Sequence, residues 1–397
     1  RPLAVSIPVP SVFANARQVV AKQAVARDLA KVVGQDAASV QRRLEKDKGF
    51  VWIARQVEPS VAPALLTFRT SGVGMMEEPK RFYPQGKTAS HVLGFTDIDG
   101  RGLEGMELHF NGMLHGQSGW RETLRDAKGD LLIGPWTTET LPTDGFDLVL
   151  TIDSVVQQVA EEALAWGVKK YHAKGGSILV MDPASGAILA MANAPSFDPN
   201  EPGEASADAR RNRTVTDMFE PGSIFKIVTA AALLNEGRVR LDDTFFCEQG
   251  SWPTVAGHIL HDHTGHGLLS FHDIIKLSSN IGTAKAAQRL APEELYAYIQ
   301  AFGFGRKTNV DVPGEVSGRV PPTRQWWKVS MYNIPIGQGI AVTPIQLAVM
   351  TSVIANGGLR VQPHVVNRIQ TADGRVVRSA ALAEPVRVIT PETAAAV

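Results

Sequence analysis

The stretch Phe219-Glu220-Pro221-Gly222-Ser223-Ile224-Phe225-Lys226-Ile227-Val228-Thr229-Ala230-Ala231-Ala232-Leu233-Leu234 decides how this chain reads. Pro-Gly breaks the backbone, and a helix begins at or beside Ser223 and ends near Gly237. From Ile224 to Leu234 only Lys226 and Thr229 are polar. A helix apolar on nearly every face is buried, so Lys226 stands where a lysine needs a task. Positions i and i+3 share a face, which brings the Lys226 amine near the Ser223 hydroxyl. Burial and the positive end of the helix dipole both disfavour the ammonium. Lowering a lysine pKa from about 10.4 to about 7 costs roughly 4–5 kcal/mol. The expectation is a lysine largely neutral near pH 7, acting as general base beside a serine nucleophile. The bland reading is a capping serine and a snorkelling lysine, and S-x-x-K alone does not separate the two.

A second interruption follows. Ser270 is an N-cap, and the helix it starts breaks at Ser278-Ser279-Asn280 before another runs through Ala284 to Leu290. Ser-Ser-Asn is a poor helix former and reads as a loop whose side chains point into a cleft. Around these segments, Asp153 caps a helix that keeps Val155/Val156, Val159/Ala160 and Ala163/Leu164 on one face. The runs Ser177–Met181 and Ala187–Met191, joined by Asp182-Pro183-Ala184-Ser185-Gly186, read as a β-hairpin. Thr343 caps a further helix with Pro344 at its first position and Gly357 near its end. A hairpin among helices implies an α+β fold, with an antiparallel sheet covered by helices.

The first 145 residues differ in texture. They hold a helical stretch, Ala16 to Val33, then short β-rich runs at Phe50–Ile53 and Arg81–Pro84 and a glycine-dense segment from Gly94 to Gly119. The turn signal Pro142-Thr143-Asp144-Gly145 places a domain boundary near Gly145. The expected domains are 1–145, an elongated α+β module, and 146–397.

Composition narrows the function. Lys+Arg 40 balances Asp+Glu 40, so the basic excess of a general nucleic-acid binder is missing. A hydrophobic fraction of 44% with 20% charged residues is that of a globular chain with a real core. A single cysteine, Cys247, rules out an intrachain disulfide and a Cys-based zinc cluster, and reads as buried or inert. No window approaches 18 consecutive apolar residues. His258, His261, His263 and His266 with Asp262 are the densest set of metal-ligand types, but their spacing fits no zinc signature and they read as solvated loop residues. Trp326-Trp327 reads as a packing pair, and Lys276 as solvated or structural.

S-x-x-K with a serine/asparagine triplet and K-T-G is the signature shared by serine β-lactamases and penicillin-binding proteins. Pro221–Lys226, Ser278-Ser279-Asn280-Ile281-Gly282, and Ile336-Gly337-Gln338-Gly339 leading into Thr343-Pro344-Ile345-Gln346 resemble class B penicillin-binding proteins. Arg81-Phe82-Tyr83-Pro84, His91-Val92-Leu93-Gly94-Phe95 and Gly102-Leu103-Glu104-Gly105 resemble the non-catalytic pedestal of their septal, FtsI-type branch. The resemblance implies a pedestal (dimerisation-type) domain over 1–145 and a transpeptidase domain over 146–397, serine β-lactamase-like in fold. It implies a peptidoglycan D,D-transpeptidase of septal wall synthesis, held at the inner membrane with its catalytic domain on the periplasmic side. Ser223 would be the nucleophile, Lys226 the base and Ser278 a proton relay, while Asn280 would bind the acyl-side amide and hold Lys226. Ser223, Ser278 and Asn280 would contact substrate, and the backbone N–H of Ser223 would form half of an oxyanion hole. Implied partners are D-Ala–D-Ala stem peptides, β-lactam antibiotics, a septal glycosyltransferase and other divisome proteins, with no nucleic acid. No metal or organic cofactor is implied.

Two departures stand out. Position 224 is isoleucine where relatives usually carry threonine or a small residue. No K-T-G follows the triplet: Gly86-Lys87-Thr88-Ala89 lies in the wrong domain, and Lys307-Thr308-Asn309 lacks the glycine. The expectation is that the third motif lies beyond Val397, and that Arg1–Ser6 begins past a membrane anchor. Competing readings are a β-lactamase or β-lactam sensor, and a non-catalytic division scaffold.

Overall fold

A computed structural model describes residues 1–46, 48–68, 70–122, 124–125, 131–132, 134, 137–254 and 257–397. They form two compact units, one of Arg1–Gly86 with Leu93–Leu108, the other of Lys87–Val92 with His109–Val397. The units therefore part elsewhere than at the Gly145 turn. Around that turn, Phe146 donates to the Met113 carbonyl, and Gln117 and Thr143 exchange backbone hydrogen bonds. Both ties join the stretch before Gly145 to residues of the second unit.

In the first unit, β1 (Val5–Ala14) lies between β2 (Val51–Ala54) and β3 (Val73–Phe82) in an antiparallel sheet. The β1–β3 ladder runs without a slip from Val5 opposite Phe82 to Ala14 opposite Val73. Helices α1 (Lys22–Val33) and α2 (Ala37–Leu44) bury Ala26, Leu29, Ala30, Val40 and Leu44 with Val12, Ala14 and Ile53 of the sheet. Helix α1 starts at Lys22 rather than Ala16. The backbone N–H groups of Asn15 and Ala16 are taken by the carbonyls of Gly72 and Lys48, which holds the chain in a turn there. Asp36 caps α2 by accepting from the Ser39 N–H at 2.9 Å. Within this unit Arg81 pairs with buried Glu107 at 2.7 Å, and Gly94 packs backbone-on-backbone against Glu104 and Gly105.

From residue 147 onward the second unit runs through β4 (Asp147–Leu150) and α3 (Ser154–Tyr171). Asp153 caps α3 as expected, accepting from Val155 and Val156 at 2.8 and 3.1 Å. The hairpin is β5 (Gly176–Met181) with β6 (Ile188–Ala194), antiparallel, its turn held by Asp182. Ala160 and Leu164 of α3 pack on Ala190 and Ala192 of β6. Gln157, fully buried, fastens helix to strand by bonding both the N–H and the carbonyl of Met191. The main core surrounds α4 (Lys226–Asn235), with α5 (Phe271–Lys276), α6 (Asn280–Ala287), α7 (Pro292–Ala301) and α8 (Pro344–Ala355) about it. Phe225, Leu233, Ile274, Ile281, Ile299, Phe304 and Met350 are among its buried side chains. Between α4 and α5 stand β7 (Ser251–Pro253) and β8 (Ile259–His261), an antiparallel pair. A three-stranded sheet joins β4 to β9 (Val366–Gln370) and β10 (Val376–Ser379). The fold is α+β. Among the described residues no helix is long and apolar enough to cross a membrane.

Candidate active site

The site is built where α4 begins. Phe219 and Val342 exchange two backbone hydrogen bonds, Glu220 accepts from the Gly339 N–H at 2.8 Å, and Gly222 donates to the Gly337 carbonyl at 3.0 Å. Thr229, one of the two polar residues on the buried helix, is used up by the Pro335 carbonyl at 2.8 Å. The Ile336–Gly339 segment thus braces the Pro221-Gly222-Ser223 turn through main-chain atoms. Gly337 has φ +80° and lies so close that a Cβ there would sit 2.1 Å from the Gly222 oxygen. Only glycine fits both the angle and the space.

Residues 222–225 form one 3₁₀ turn leading into α4, and the Lys226 N–H bonds the Ser223 carbonyl. Ser223 is exposed, and Lys226, one turn on, is 2% exposed. The Lys226 ammonium is directed at the second loop: Nζ donates to the Ser278 carbonyl at 2.6 Å and to Ser278 Oγ at 3.0 Å. Burial pushes its pKa down to about 8, and the negative charge of Asp262 opposes the fall. The expected burial is present, but the amine is not largely neutral at pH 7; a pKa of about 8 leaves roughly a tenth of it unprotonated there. In that neutral fraction two N–H groups can stay on Ser278, and the lone pair is left over to take a proton. Among the described residues the Ser223 hydroxyl has no hydrogen-bond partner, so it is unengaged one helical turn from that amine.

The loop between α5 and α6 takes the expected break. Ser278 adopts a left-handed conformation, φ +58°, uncommon for a non-glycine residue and a device for re-aiming a side chain. Ser279, buried, caps α6 by accepting from the Gly282 N–H at 2.9 Å. The amide of Asn280 donates to the His261 carbonyl at 2.8 Å rather than engaging Lys226. One carboxylate organises all of this. Asp262 accepts from Ser279 Oγ at 2.6 Å and from the N–H groups of Asn280 and Ile281 at 2.5 and 3.0 Å.

Asp262 and Ser279 are the residues that sequence reading passed over. Asp262 stood among the histidines weighed for metal binding, while His258, His261 and His263 are exposed. The one signal for Ser279 was its place as a capping serine before an apolar run. Cys247 is fully buried, and burial pushes its thiol pKa up. Lys276 is exposed. The tryptophan pair divides: Trp326 is half-buried, its Nε1 donating to the Pro321 carbonyl at 2.8 Å, while Trp327 is 81% exposed.

Comparison with known proteins agrees with this architecture. Residues 176–397 match the penicillin binding protein transpeptidase domain, and residues 1–150 the penicillin-binding protein dimerisation domain. The chain is 35% identical over 366 residues to a probable peptidoglycan D,D-transpeptidase, PenA, of Neisseria meningitidis serogroup A, covering 90% of this chain and 62% of that protein. It therefore spans less than two thirds of that relative's length. A peptidoglycan synthetase from Bifidobacterium adolescentis superposes with a TM-score of 0.77 at 29% identity, covering 99% of this chain and 76% of that one. Penicillin binding protein 3 of Mycobacterium tuberculosis, solved with aztreonam, superposes with a TM-score of 0.70 at 32% identity, covering 80% and 67%.

Proposed function

The chain belongs to the penicillin-binding proteins that carry a dimerisation domain ahead of a transpeptidase domain, and on that premise we propose that it serves as a serine D,D-transpeptidase of septal peptidoglycan. Ser223 Oγ attacks the D-Ala–D-Ala carbonyl of a stem peptide while its proton passes to the neutral Lys226 amine. The tetrahedral intermediate collapses, the amide C–N bond breaks, and Ser278 relays the proton from Lys226 to the departing D-alanine nitrogen. The resulting ester is attacked by the amine of a second stem peptide. A cross-link forms, and Ser223 regains its proton. A β-lactam acylates the same oxygen by opening its strained amide. The observation that carries this reading is the Lys226 Nζ–Ser278 Oγ bond of 3.0 Å made by a buried lysine one turn from an exposed serine.

In this proposal residues 1–145 act as the pedestal and 146–397 as the catalytic domain, working on the outer side of the cytoplasmic membrane beside a septal glycosyltransferase and other division proteins. The pedestal-like segments at 81–84, 91–95 and 102–105 support the septal assignment. Incubation with a fluorescent penicillin is expected to give a stable covalent adduct that maps by mass spectrometry to Ser223 and vanishes in Ser223→Ala. An adduct on another residue would sink the assignment. Rapid release of hydrolysed penicillin would point instead to a β-lactamase.

Asp262 has a positioning part in this scheme, and two substitutions separate its charge from its hydrogen bonds. Asp262→Asn keeps an acceptor but removes the charge that holds the Lys226 pKa up. The midpoint of acylation rate against pH should therefore fall below about 8. Asp262→Ala also strands the Asn280 and Ile281 donors, costing about 1–3 kcal/mol of stability. An unchanged midpoint in Asp262→Asn would remove its electrostatic role.

A further inference from the structure

A groove of about 740 Å³ has Gln338 and Gly339, from the segment that braces Ser223, in its wall. Arg319 and Arg324 line it, both exposed, and among the described residues neither guanidinium has an acidic partner. Trp327 offers an open indole, 81% exposed, on the same groove. Asn333 also lines it, and its Oδ1 is buried without a hydrogen-bond partner among the described residues. A buried acceptor left unpaired costs free energy that a donor on a ligand would recover. None of these four side chains has a part in the acylation chemistry.

The four features ask for one kind of molecule. Two unpaired arginines suit carboxylates. A flat exposed indole suits the C–H face of a sugar, since the ring packs apolar surface while its edge stays wet. The orphan oxygen needs an N–H, as an acetamido or peptide amide supplies. The volume lies within the range of sites that enclose a ligand of a few hundred ångströms cubed or more. We propose that this groove binds the N-acetylated, carboxylate-bearing sugar–peptide unit of a peptidoglycan strand, anchoring the strand beside the Ser223 turn. This rests on the transpeptidase reading for the identity of the ligand. Its consequence is kinetic: Gly339 is hydrogen-bonded to Glu220, three residues before Ser223. A strand seated there is carried on the same brace as the nucleophile, which raises the effective concentration of its peptide at the serine.

The test uses the disaccharide tetrapeptide released from peptidoglycan by a muramidase, titrated into the full chain and followed by isothermal titration calorimetry. The titration is repeated on protein whose penicillin adduct has been verified by intact mass, so that the stem peptide cannot enter the cleft. Binding should survive acylation, and Trp327→Ala and the double variant Arg319→Gln/Arg324→Gln should each weaken it at least tenfold. Their melting temperatures and penicillin-labelling rates should match the parent, because the altered side chains are exposed. The sugar-free tetrapeptide should bind at least tenfold more weakly. Undiminished binding by the variants overturns the proposal, as does the absence of binding by the parent. Equal binding of the sugar-free acidic peptide overturns it in favour of a peptide site. A missing Ser223 adduct would refute the transpeptidase reading instead, and is read separately from the titration.

Discussion

Lys226→Met should yield a folded protein that is acylated by penicillin about 10²–10⁴-fold more slowly than the parent, the usual size of a lost general base. Methionine fills much the same space but cannot accept the Ser223 proton. Lys226→Arg should lose as much, since a guanidinium keeps the charge without giving up a proton. In the parent, the acylation rate should climb nearly tenfold per pH unit below about 8 and level off above it, following the neutral amine. Stopped-flow acylation between pH 6 and 9.5 checks this. A flat profile, or parental rates in either variant, would take Lys226 out of the proton transfer. Stability should also rise with pH, over a higher window. Folding lowers this pKa from 10.5 to about 8, so the ammonium is penalised by roughly 3 kcal/mol. Between pH 8 and 10.5 the unfolded chain still holds a proton that the folded protein has released. The lysine's contribution to stability therefore improves as pH rises through that window, and its full penalty applies below it. The methionine variant escapes the penalty, so its melting temperature relative to the parent should rise as pH falls from 10.5 to 8.

Gly337→Val should be the most damaging substitution outside the reacting groups, costing about 3–5 kcal/mol and abolishing penicillin labelling. Its Cβ would collide with the Gly222 oxygen at 2.1 Å and nitrogen at 2.7 Å, and its φ of +80° already disfavours any side chain. Main chain cannot rotate aside as a side chain can, so Gly222 must shift and take Ser223 with it. Gly357 is the control. It has φ +76° but nothing within 4 Å of an added Cβ, so Gly357→Ala should cost only about 1–2 kcal/mol and leave labelling intact. Chemical denaturation of the two variants, with labelling measured on the folded fraction, decides the matter. Equal losses in both would mean that backbone angle, not contact with Gly222, is what matters at position 337.

What could be read from the sequence was whatever rests on local periodicity and capping. The Asp153 and Ser270 caps, the hairpin turn at 182–186 and the break at 278–280 are all short-range features, and each is found where its residues stand. The burial of Lys226 followed from the apolar run around it. Strand β3 was seen only at its end, because Glu77, Glu78, Pro79 and Lys80 interrupt any apolar alternation. Glu78 is accommodated by Arg55, 23 positions away, at 2.7 Å. Asp262 was illegible for the same reason. Nothing near it in the chain says that it will meet residues 279–281, and the strand pair β7–β8 has to form before it can. The Lys226 pKa was overestimated in its fall because that prediction counted the apolar helix and not this carboxylate.

Most of the ties around the serine are made by atoms that every residue possesses. Gly222 N–H to Gly337 carbonyl, Gly339 N–H to Glu220, Lys226 to the Ser278 carbonyl, and Asn280 and Ile281 N–H to Asp262 all use the peptide backbone on one side. Under selection by an inhibitor, such a site offers few footholds. A point mutation swaps side chains, so the backbone half of each tie is beyond its reach. Inherited variation should therefore gather at the few side chains that face outward next to Ser223. Ile224, 51% exposed and next to Ser223 in the chain, is where a lineage has room to change its response to a drug without losing its serine.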